Sequence, residues 1–178
     1  MKTIFRAALL AALASTALAR AATPAAASAA SAPPVEIWSL ASHAEGRYKI
    51  IYRYIDDLGP RAGERASEGD RVTLTWRFDA EANNGLPTLE EKDSMDALED
   101  LLEPAVETVG FSNLALVRTG AGVREWTYYT RSSHEFLERM KAVLPGHPQF
   151  AGKVKVDVAA DPGWTTYEAF RRRVAPKN

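Results

Sequence analysis

The chain has 178 residues, of which 46% are hydrophobic and 25% charged. This suffices for one globular domain with its own core but not comfortably for a second. Its 22 lysines and arginines nearly balance 23 aspartates and glutamates, which excludes a strong overall field toward nucleic acid or an anionic membrane. It has no cysteine, so disulfides, thiolate metal sites, cysteine nucleophiles and lipid attachment at a lipobox are excluded.

The first 34 residues have the composition of an export signal followed by a linker. Lys2 and Arg6 form a positive head, residues 7–19 are largely apolar, and residues 17–19 fit the small-x-small rule for signal peptidase. This apolar run is shorter than the roughly 20 residues that span a bilayer, so we predict a signal peptide (1–19) cleaved near Ala19. Residues 20–34, rich in Ala, Pro and Ser, predict a flexible linker. We expect a periplasmic or secreted protein without a membrane anchor in its mature form.

The single domain is predicted to span residues 35–178 and to open with a β-hairpin. Val35 to Ser42 and Arg47 to Ile55 are strand-like runs, and His43 to Gly46 has the length and the glycine of a hairpin loop. Glycines among charges from Asp56 to Asp70 predict a mobile surface loop.

A strand from Arg71 to Asp79 and a long helix are expected next. Val72, Leu74, Trp76 and Phe78 alternate with polar residues, which is typical of a strand with one buried face.

The helix has a clear start signal and an expected interruption. Thr88 and Glu91 form a capping box. Pro104 lacks an amide proton, so we expect a kink or a restart between Asp100 and Pro104, and Gly110 predicts the end of the helix. Its apolar stripe has the three-and-four spacing of a buried face and comprises Met95, Leu98, Leu101, Leu102, Ala105, Val106 and Val109.

The stretch from Leu114 to Thr130 predicts two strands joined by a tight turn at Gly120 to Gly122. Ser132 and Glu135 form a second capping box, which opens a helix through about Leu144. Alternating valines from Lys153 to Val158 predict the last strand. Asp161 as N-cap and Pro162 at the first helical position predict a short helix from Gly163 to about Arg172.

This order of elements predicts an α+β fold with a ferredoxin-like split βαβ core. The core has the order βαββαβ, preceded by the N-terminal β-hairpin and followed by the short C-terminal helix. Right-handed crossovers would place Arg71 to Asp79 and Val123 to Thr130 side by side and parallel, with both long helices on one face.

Four short pieces of sequence carry a family resemblance. They are Asn84-Gly85-Leu86-Pro87, Leu98-Glu99-Asp100, Arg118-Thr119-Gly120-x-Gly122-x-Arg124-Glu125-Trp126-x-x-Tyr129 and Asp161-Pro162-x-Trp164-x-x-Tyr167. In this order the chain resembles the domain of unknown function 695 from about Trp38 to Phe170. Its C-terminal half is also similar to the regulator of ribonuclease E activity B, a small protein inhibitor of that nuclease.

The resemblance implies little about activity, because the first family has no established one. The second would imply a non-enzymatic, protein-binding role. The predicted export signal argues against the same partner, because that nuclease is cytoplasmic.

Catalytic, metal and cofactor sites have no visible signature. His43, His134 and His147 lack metal-ligand spacing and are interpreted as surface residues. No serine lies in a nucleophile elbow, and Gly120 to Gly122 lacks the strand-to-helix context of a phosphate loop. We therefore predict no catalytic residue, no metal and no cofactor.

Two charged clusters have simpler interpretations than a binding site. The acidic helix stripe is interpreted as a solvated face, with a cation or basic partner surface as the alternative. Arg171 to Arg173 suits a helix C-terminus, which we favour over a nucleic-acid patch. The stripe consists of Asp96, Glu99, Asp100, Glu103 and Glu107.

The outer face of the sheet is the stronger candidate for a partner surface. If Trp126 and Tyr128 face the helices, their neighbours in the strand face the other way. The outward-facing side chains of this and the neighbouring strands have two possible roles. They either form cross-strand charge pairs, in which Asp157 also takes part, or line a shallow polar groove that the N-terminal hairpin partly covers. The candidate partner-surface residues are Arg77, Glu125, Thr127, Tyr129 and Lys155.

Arg124 and Trp164 are interpreted as structural. Trp164 is expected to close the end of the core, with Arg124 on its ring or paired with Asp161. Two classes of function stay open. The first is an exported, non-enzymatic protein-interaction or regulatory module with a protein partner, and the second is an envelope hydrolase with carboxylates such as Glu125 and Asp161.

Overall fold

Six strands form one antiparallel sheet in the computed structural model. The structure describes residues 37–174, except for the side chains of residues 59–61. The predicted signal peptide and linker lie outside the described residues. The described part belongs to a compact unit of residues 33–178. The strands are β1 (Ile37–Glu45), β2 (Tyr48–Asp57), β3 (Asp70–Arg77), β4 (Ser112–Gly120), β5 (Val123–Thr130) and β6 (Val154–Ala160).

Three α-helices and three short 3₁₀ segments complete the described range. The helices are α1 (Leu89–Val106), α2 (Ser133–Val143) and α3 (Thr165–Val174), and the 3₁₀ segments cover Gly59–Ser67, Leu144–Gly146 and Pro148–Phe150. The predicted α+β class with an N-terminal hairpin is confirmed.

The strand order is β1-β2-β4-β5-β3-β6. Its last four positions are compatible with the predicted ferredoxin-like arrangement. Strands β3 and β5 are neighbours as expected, but the prediction that they run parallel is wrong, because Asp70 pairs with Thr130 and Arg77 with Val123. The helical crossover makes β4 parallel to β3, and the tight turn then reverses β5.

Each face of the sheet has its own apolar cluster. Helices α1 and α2 cover one face, where their buried residues pack on Leu74, Trp126 and Tyr128. Helix α3 covers part of the opposite face, where Phe170 and Tyr167 pack with Tyr129. We call the second face the outer face.

The hairpin and the segment after it differ from the sequence-based expectation. Strand β1 continues through His43 to Glu45, and the turn is the two-residue Gly46-Arg47, because Gly46 adopts a φ of 59°. The predicted mobile loop from Asp56 to Asp70 is instead largely a 3₁₀ segment. Buried Glu68 anchors its end, since both carboxylate oxygens accept hydrogen bonds from Asn113 Nδ2 at 2.8 and 2.7 Å.

Helix α1 begins as predicted and ends earlier. Thr88 Oγ1 accepts from Glu91 N, and Glu91 accepts from Thr88 N, which confirms the capping box. The helix continues without a restart through Pro104 and ends at Val106, so the expected inclusion of Val109 in the buried stripe is wrong. Val109 is 75% exposed.

The last helix starts two residues later than predicted. Pro162 and Gly163 lie in a turn, and Trp164 adopts the left-handed region with a φ of 52°, so regular helix begins only at Thr165. Asp161 still serves the helix start, because its carboxylate accepts hydrogen bonds from the amides of Thr165 and Thr166.

Candidate functional site

The outer face carries a groove with a volume of about 700 Å³. Its floor comes from neighbouring rows of the sheet, where Thr75 lies between Glu125 and Lys155, and Thr73 lies between Thr127 and Asp157. We call this cavity the outer groove. Its lining includes Thr73, Thr75, Arg118, Glu125, Thr127 and Asp157.

The β1–β2 hairpin and α3 form the walls of the outer groove. On the hairpin side, His43 stacks on Tyr52 with ring centroids 5.5 Å apart. Phe170 of α3 packs against Tyr52 at 4.9 Å, so hairpin and helix meet at one end of the cavity.

Charges of both signs line the outer groove. Arg118 lies between two carboxylates, at 3.0 Å from Glu45 and 3.7 Å from Glu125. Asp157 and Arg173 add one charge of each sign. The arrangement suits a ligand with both cationic and anionic groups.

Three threonine hydroxyls of the floor make no hydrogen bond with any residue in the described range. They belong to Thr73, Thr75 and Thr127, whereas the hydroxyl of Thr166 accepts from Arg71. Each hydroxyl can donate one hydrogen bond and accept two, so the floor can bind the amide and carbonyl groups of a peptide backbone.

The structure divides the five predicted partner-surface residues. Glu125 and Thr127 line the outer groove, while Arg77 and Lys155 are exposed and do not. The expected charge pairs among Arg77, Lys155 and Asp157 are not formed in the described range, where Glu125 pairs with Arg118 instead.

Tyr129 lies on the outer face as expected but is buried there, so it offers no surface to a partner. Its ring stacks on Trp164 at 4.1 Å, and its hydroxyl donates to Asp161 Oδ2 at 2.9 Å. Burial raises the pKa of Tyr129, and the hydrogen bond to Asp161 adds to the effect. Alternation alone could not show this, because the cover comes from α3, which begins 36 residues later in the chain (165 minus 129).

Asp161 is a structural carboxylate rather than an exposed one. Burial alone would raise its pKa, but hydrogen bonds from Thr165, Thr166 and Tyr129 outweigh burial and hold the pKa well below its usual value. Arg71 lies 3.8 Å away. A carboxyl group with so low a pKa is a poor general acid at neutral pH.

Trp164 closes the end of the core as predicted, but without Arg124. The indole is fully buried, donates to the carbonyl of Glu68 at 2.9 Å, and has Arg65 rather than Arg124 over its ring. The expectation that Arg124 pairs with Asp161 is wrong, because Arg124 faces α1. The alternation of β5 contains this signal, since Arg124 precedes Trp126 by two residues.

Arg124 belongs to a second cavity, of about 640 Å³, which we call the helix-side cleft. Nearly buried at 8% exposure, Arg124 donates to Asp96 Oδ1 at 2.6 Å and to Thr119 Oγ1 at 3.0 Å. On the same side Trp126 Nε1 donates to Glu99 at 2.8 Å, and Arg53 also pairs with Glu99.

Part of the acidic stripe is therefore not simply a solvated face. Lys92 and Arg124 both bind Asp96, and together they outweigh its burial and lower its pKa. Arg53 and Trp126 hold Glu99. Asp100 lines the cleft and has no ion pair with another described residue.

The histidines are separate from one another. His43 lies in β1, His134 in the first turn of α2, and His147 between two 3₁₀ segments. Within residues 37–174, no group of three or more His, Asp or Glu side chains is arranged to hold a metal ion. In that range no helix combines the length and the apolar character needed to cross a bilayer.

The family of the chain follows from its comparison with known families. The model of the Family of unknown function (DUF695) matches residues 60–170. The chain belongs to this family. No curated protein matches the chain. The DUF695 match runs from the 3₁₀ segment to α3, so the β1–β2 hairpin lies outside it.

The pieces that carry the DUF695 resemblance converge on the two cavities. Leu86, Pro87, Glu99, Asp100, Thr119 and Arg124 line the helix-side cleft. Arg118 and Glu125 line the outer groove, and the last piece builds the cluster around Trp164. The match does not bear on the resemblance to the ribonuclease regulator.

Proposed function

We propose that this DUF695 protein is an exported, non-enzymatic module that binds an extended polypeptide segment in the outer groove. The observation that carries the proposal is the floor of the groove, where unbonded hydroxyls lie beside charges of both signs. Thr73, Thr75 and Thr127 would bind backbone amides and carbonyls, while Glu125, Asp157 and Arg173 would select a segment with complementary charges.

The alternative, an envelope hydrolase, has less support. It needs a carboxyl group that gives up and takes up a proton, and Asp161 is unsuited to this because its hydrogen bonds favour the charged form. Glu125 is engaged with Arg118. The acidic stripe is also the weaker partner surface, because Asp96 and Glu99 are bound by cations of the same chain.

A photoreactive residue in place of Lys155, which is exposed and pairs with Thr75 of the groove floor, tests the proposal directly. The control has the same residue in place of Glu138, which is exposed on α2 and lies on the opposite side of the sheet. After irradiation of cells, mass spectrometry should find one polypeptide segment attached at position 155 and not at position 138. Equal attachment at both positions would contradict the proposal.

Charge reversal provides the second test. Glu125→Lys with Asp157→Lys should abolish attachment from a photoreactive residue in place of Lys155, because the charges of the groove would no longer match the segment. Glu138→Lys with Glu103→Lys produces the same change in net charge away from the groove and should leave attachment intact.

A further inference from the structure

The helix-side cleft is a second site, separate from the outer groove, and its chemistry indicates a small molecule. Its lining combines charged and polar side chains with four apolar ones, Ile51, Leu86, Pro87 and Val117. A volume of about 640 Å³ lies in the range of small-molecule sites.

A nearly buried guanidinium provides an anion-binding group in this cleft. Arg124 uses Nε for Thr119 and Nη1 for Asp96, and its Nη2 makes no hydrogen bond with a described residue. Nη2 is also not among the atoms that are fully buried without a partner, and Arg124 lines the cleft, so a ligand there can reach it. A guanidinium whose Nη2 group is free can donate a charge-assisted hydrogen bond to one oxygen of a carboxylate.

A free carboxylate lies one helical turn away. Asp100 follows Asp96 by four residues on α1, so the two share one side of the helix at a spacing of about 5–6 Å between Cβ atoms. Asp96 neutralises Arg124 in part, whereas Asp100 has no ion pair in the described range and faces the same cleft. Asp100 is therefore suited to a cation.

We infer that the helix-side cleft binds a zwitterion, the α-carboxylate and α-ammonium of an amino acid or short peptide with an apolar side chain. The carboxylate binds Arg124 Nη2 and the ammonium binds Asp100. The two groups lie about 2.5 Å apart in an α-amino acid, and a dipeptide separates them by up to about 3.3–3.6 Å more. A hydrogen bond at each end lets either ligand bridge the turn of the helix. The apolar side chain packs on Leu86 and Val117.

Calorimetric titration of the purified protein with leucine and with dileucine tests the inference. Two matched probes each lack one charge: leucine amide has no carboxylate, and N-acetyl-leucine has no ammonium. Both should bind at least about tenfold more weakly than leucine, since each loses one charged hydrogen bond. Tighter binding of dileucine identifies a short peptide as the ligand class, and tighter binding of leucine identifies a free amino acid.

Variants assign the two ends of the ligand. Asp100→Asn should weaken leucine about tenfold and leave N-acetyl-leucine unchanged, because that probe has no ammonium. Asp93→Asn, on the same helix but outside the cleft, should change neither affinity. Arg124→Lys keeps the charge beside Asp96 and should weaken N-acetyl-leucine more than leucine amide. Absence of saturable leucine and dileucine binding, or equal binding of leucine and its amide, would overturn the inference.

Discussion

Tyr128 and Tyr129 are adjacent in β5, yet their hydroxyl groups have opposite environments. Both residues are fully buried. The hydroxyl of Tyr129 donates to Asp161 and accepts from the amide of Tyr167 at 3.2 Å, which links β5 to the start of α3. The hydroxyl of Tyr128 has no hydrogen-bond partner in the described structure.

This contrast predicts different costs for the same chemical change. Tyr129→Phe should lower the free energy of unfolding by about 1–2 kcal/mol, because it leaves the Tyr167 amide without its acceptor. Tyr128→Phe should lie within about 0.5 kcal/mol of the wild type or be slightly stabilising, since it removes a buried polar atom without a partner. Urea unfolding followed by fluorescence measures both. A larger loss for Tyr128→Phe would show that the assignment of partners is incorrect.

Asp161 makes stability depend on pH in the acid range. Its pKa is depressed in the folded protein, so its contribution is complete above the unfolded pKa of about 4 and is lost as pH falls below that value. The difference in unfolding free energy between wild type and Asp161→Asn should therefore be constant from pH 7 to about pH 5 and then shrink. Urea unfolding across this range measures it, and a difference that grows toward acid would contradict the prediction.

At the scale of elements, Gly120 shows how closely the β4–β5 hairpin packs against β2. A Cβ at Gly120 would lie 2.4 Å from the Lys49 carbonyl oxygen and 3.0 Å from the Cα of Ile50. Both are backbone atoms of β2, which cannot give way as a flexible side chain can. The close approach of β4 and β2 therefore requires glycine here.

Two glycine substitutions compare an open turn position with a crowded strand end. Gly46 has a φ of 59°, and a Cβ at this position would meet open space, so Gly46→Ala should cost only about 1 kcal/mol of unfolding free energy. Gly120 has a φ of 146°, which L residues rarely adopt, and Gly120→Ala also overpacks against β2, so it should cost about 3 kcal/mol or more. Chemical unfolding of the two variants compares the costs, and similar values would mean that β2 moves to make room.

Local sequence signals predict the individual helices, strands and turns well, but they do not predict the contacts between these elements equally well. The capping box of Thr88 and the turn at Gly120 to Gly122 depend on neighbours in sequence, so their patterns suffice. The 3₁₀ segment was missed because its anchor, Glu68, is bound by Asn113, a residue far along the chain. The burial of Tyr129 was missed for the same reason, since α3 supplies its cover.

The outer groove was predictable only in part. The alternation of β5 placed Glu125 and Thr127 on the correct face, but Arg118 and the wall of His43 and Tyr52 depend on strand order. The helix-side cleft was not predicted. Its acidic residues form a recognisable stripe in the sequence, but the sequence-based expectation placed Arg124 at Trp164 or Asp161 and not beside Asp96.

At the scale of the whole molecule, the first 19 residues predict export of the chain and cleavage of its N-terminal segment. Expression of the full chain in a bacterial host with a periplasm should yield a mature protein that starts near Arg20, because signal peptidase cleaves after small residues. Mass spectrometry of the purified protein and cell fractionation measure this. A chain without residues 2–19 should stay in the cytoplasm, and an intact N-terminus on the exported chain would contradict the prediction.

The order of strands has a consequence for how the chain reaches its fold. Only β1–β2 and β4–β5 pair across short turns. Strand β3 has both of its neighbours far downstream, since Asp70 pairs with Thr130 and with Ala160. Pairing between such distant residues gives a high contact order, which slows folding. The entropy of closing a long loop is lost before the strand pairing contributes any stabilising free energy. When the chain emerges N-terminus first, both edges of β3 therefore stay unpaired until β5 and β6 have been synthesised or exported. A chaperone that binds unpaired β-strands would act in that interval.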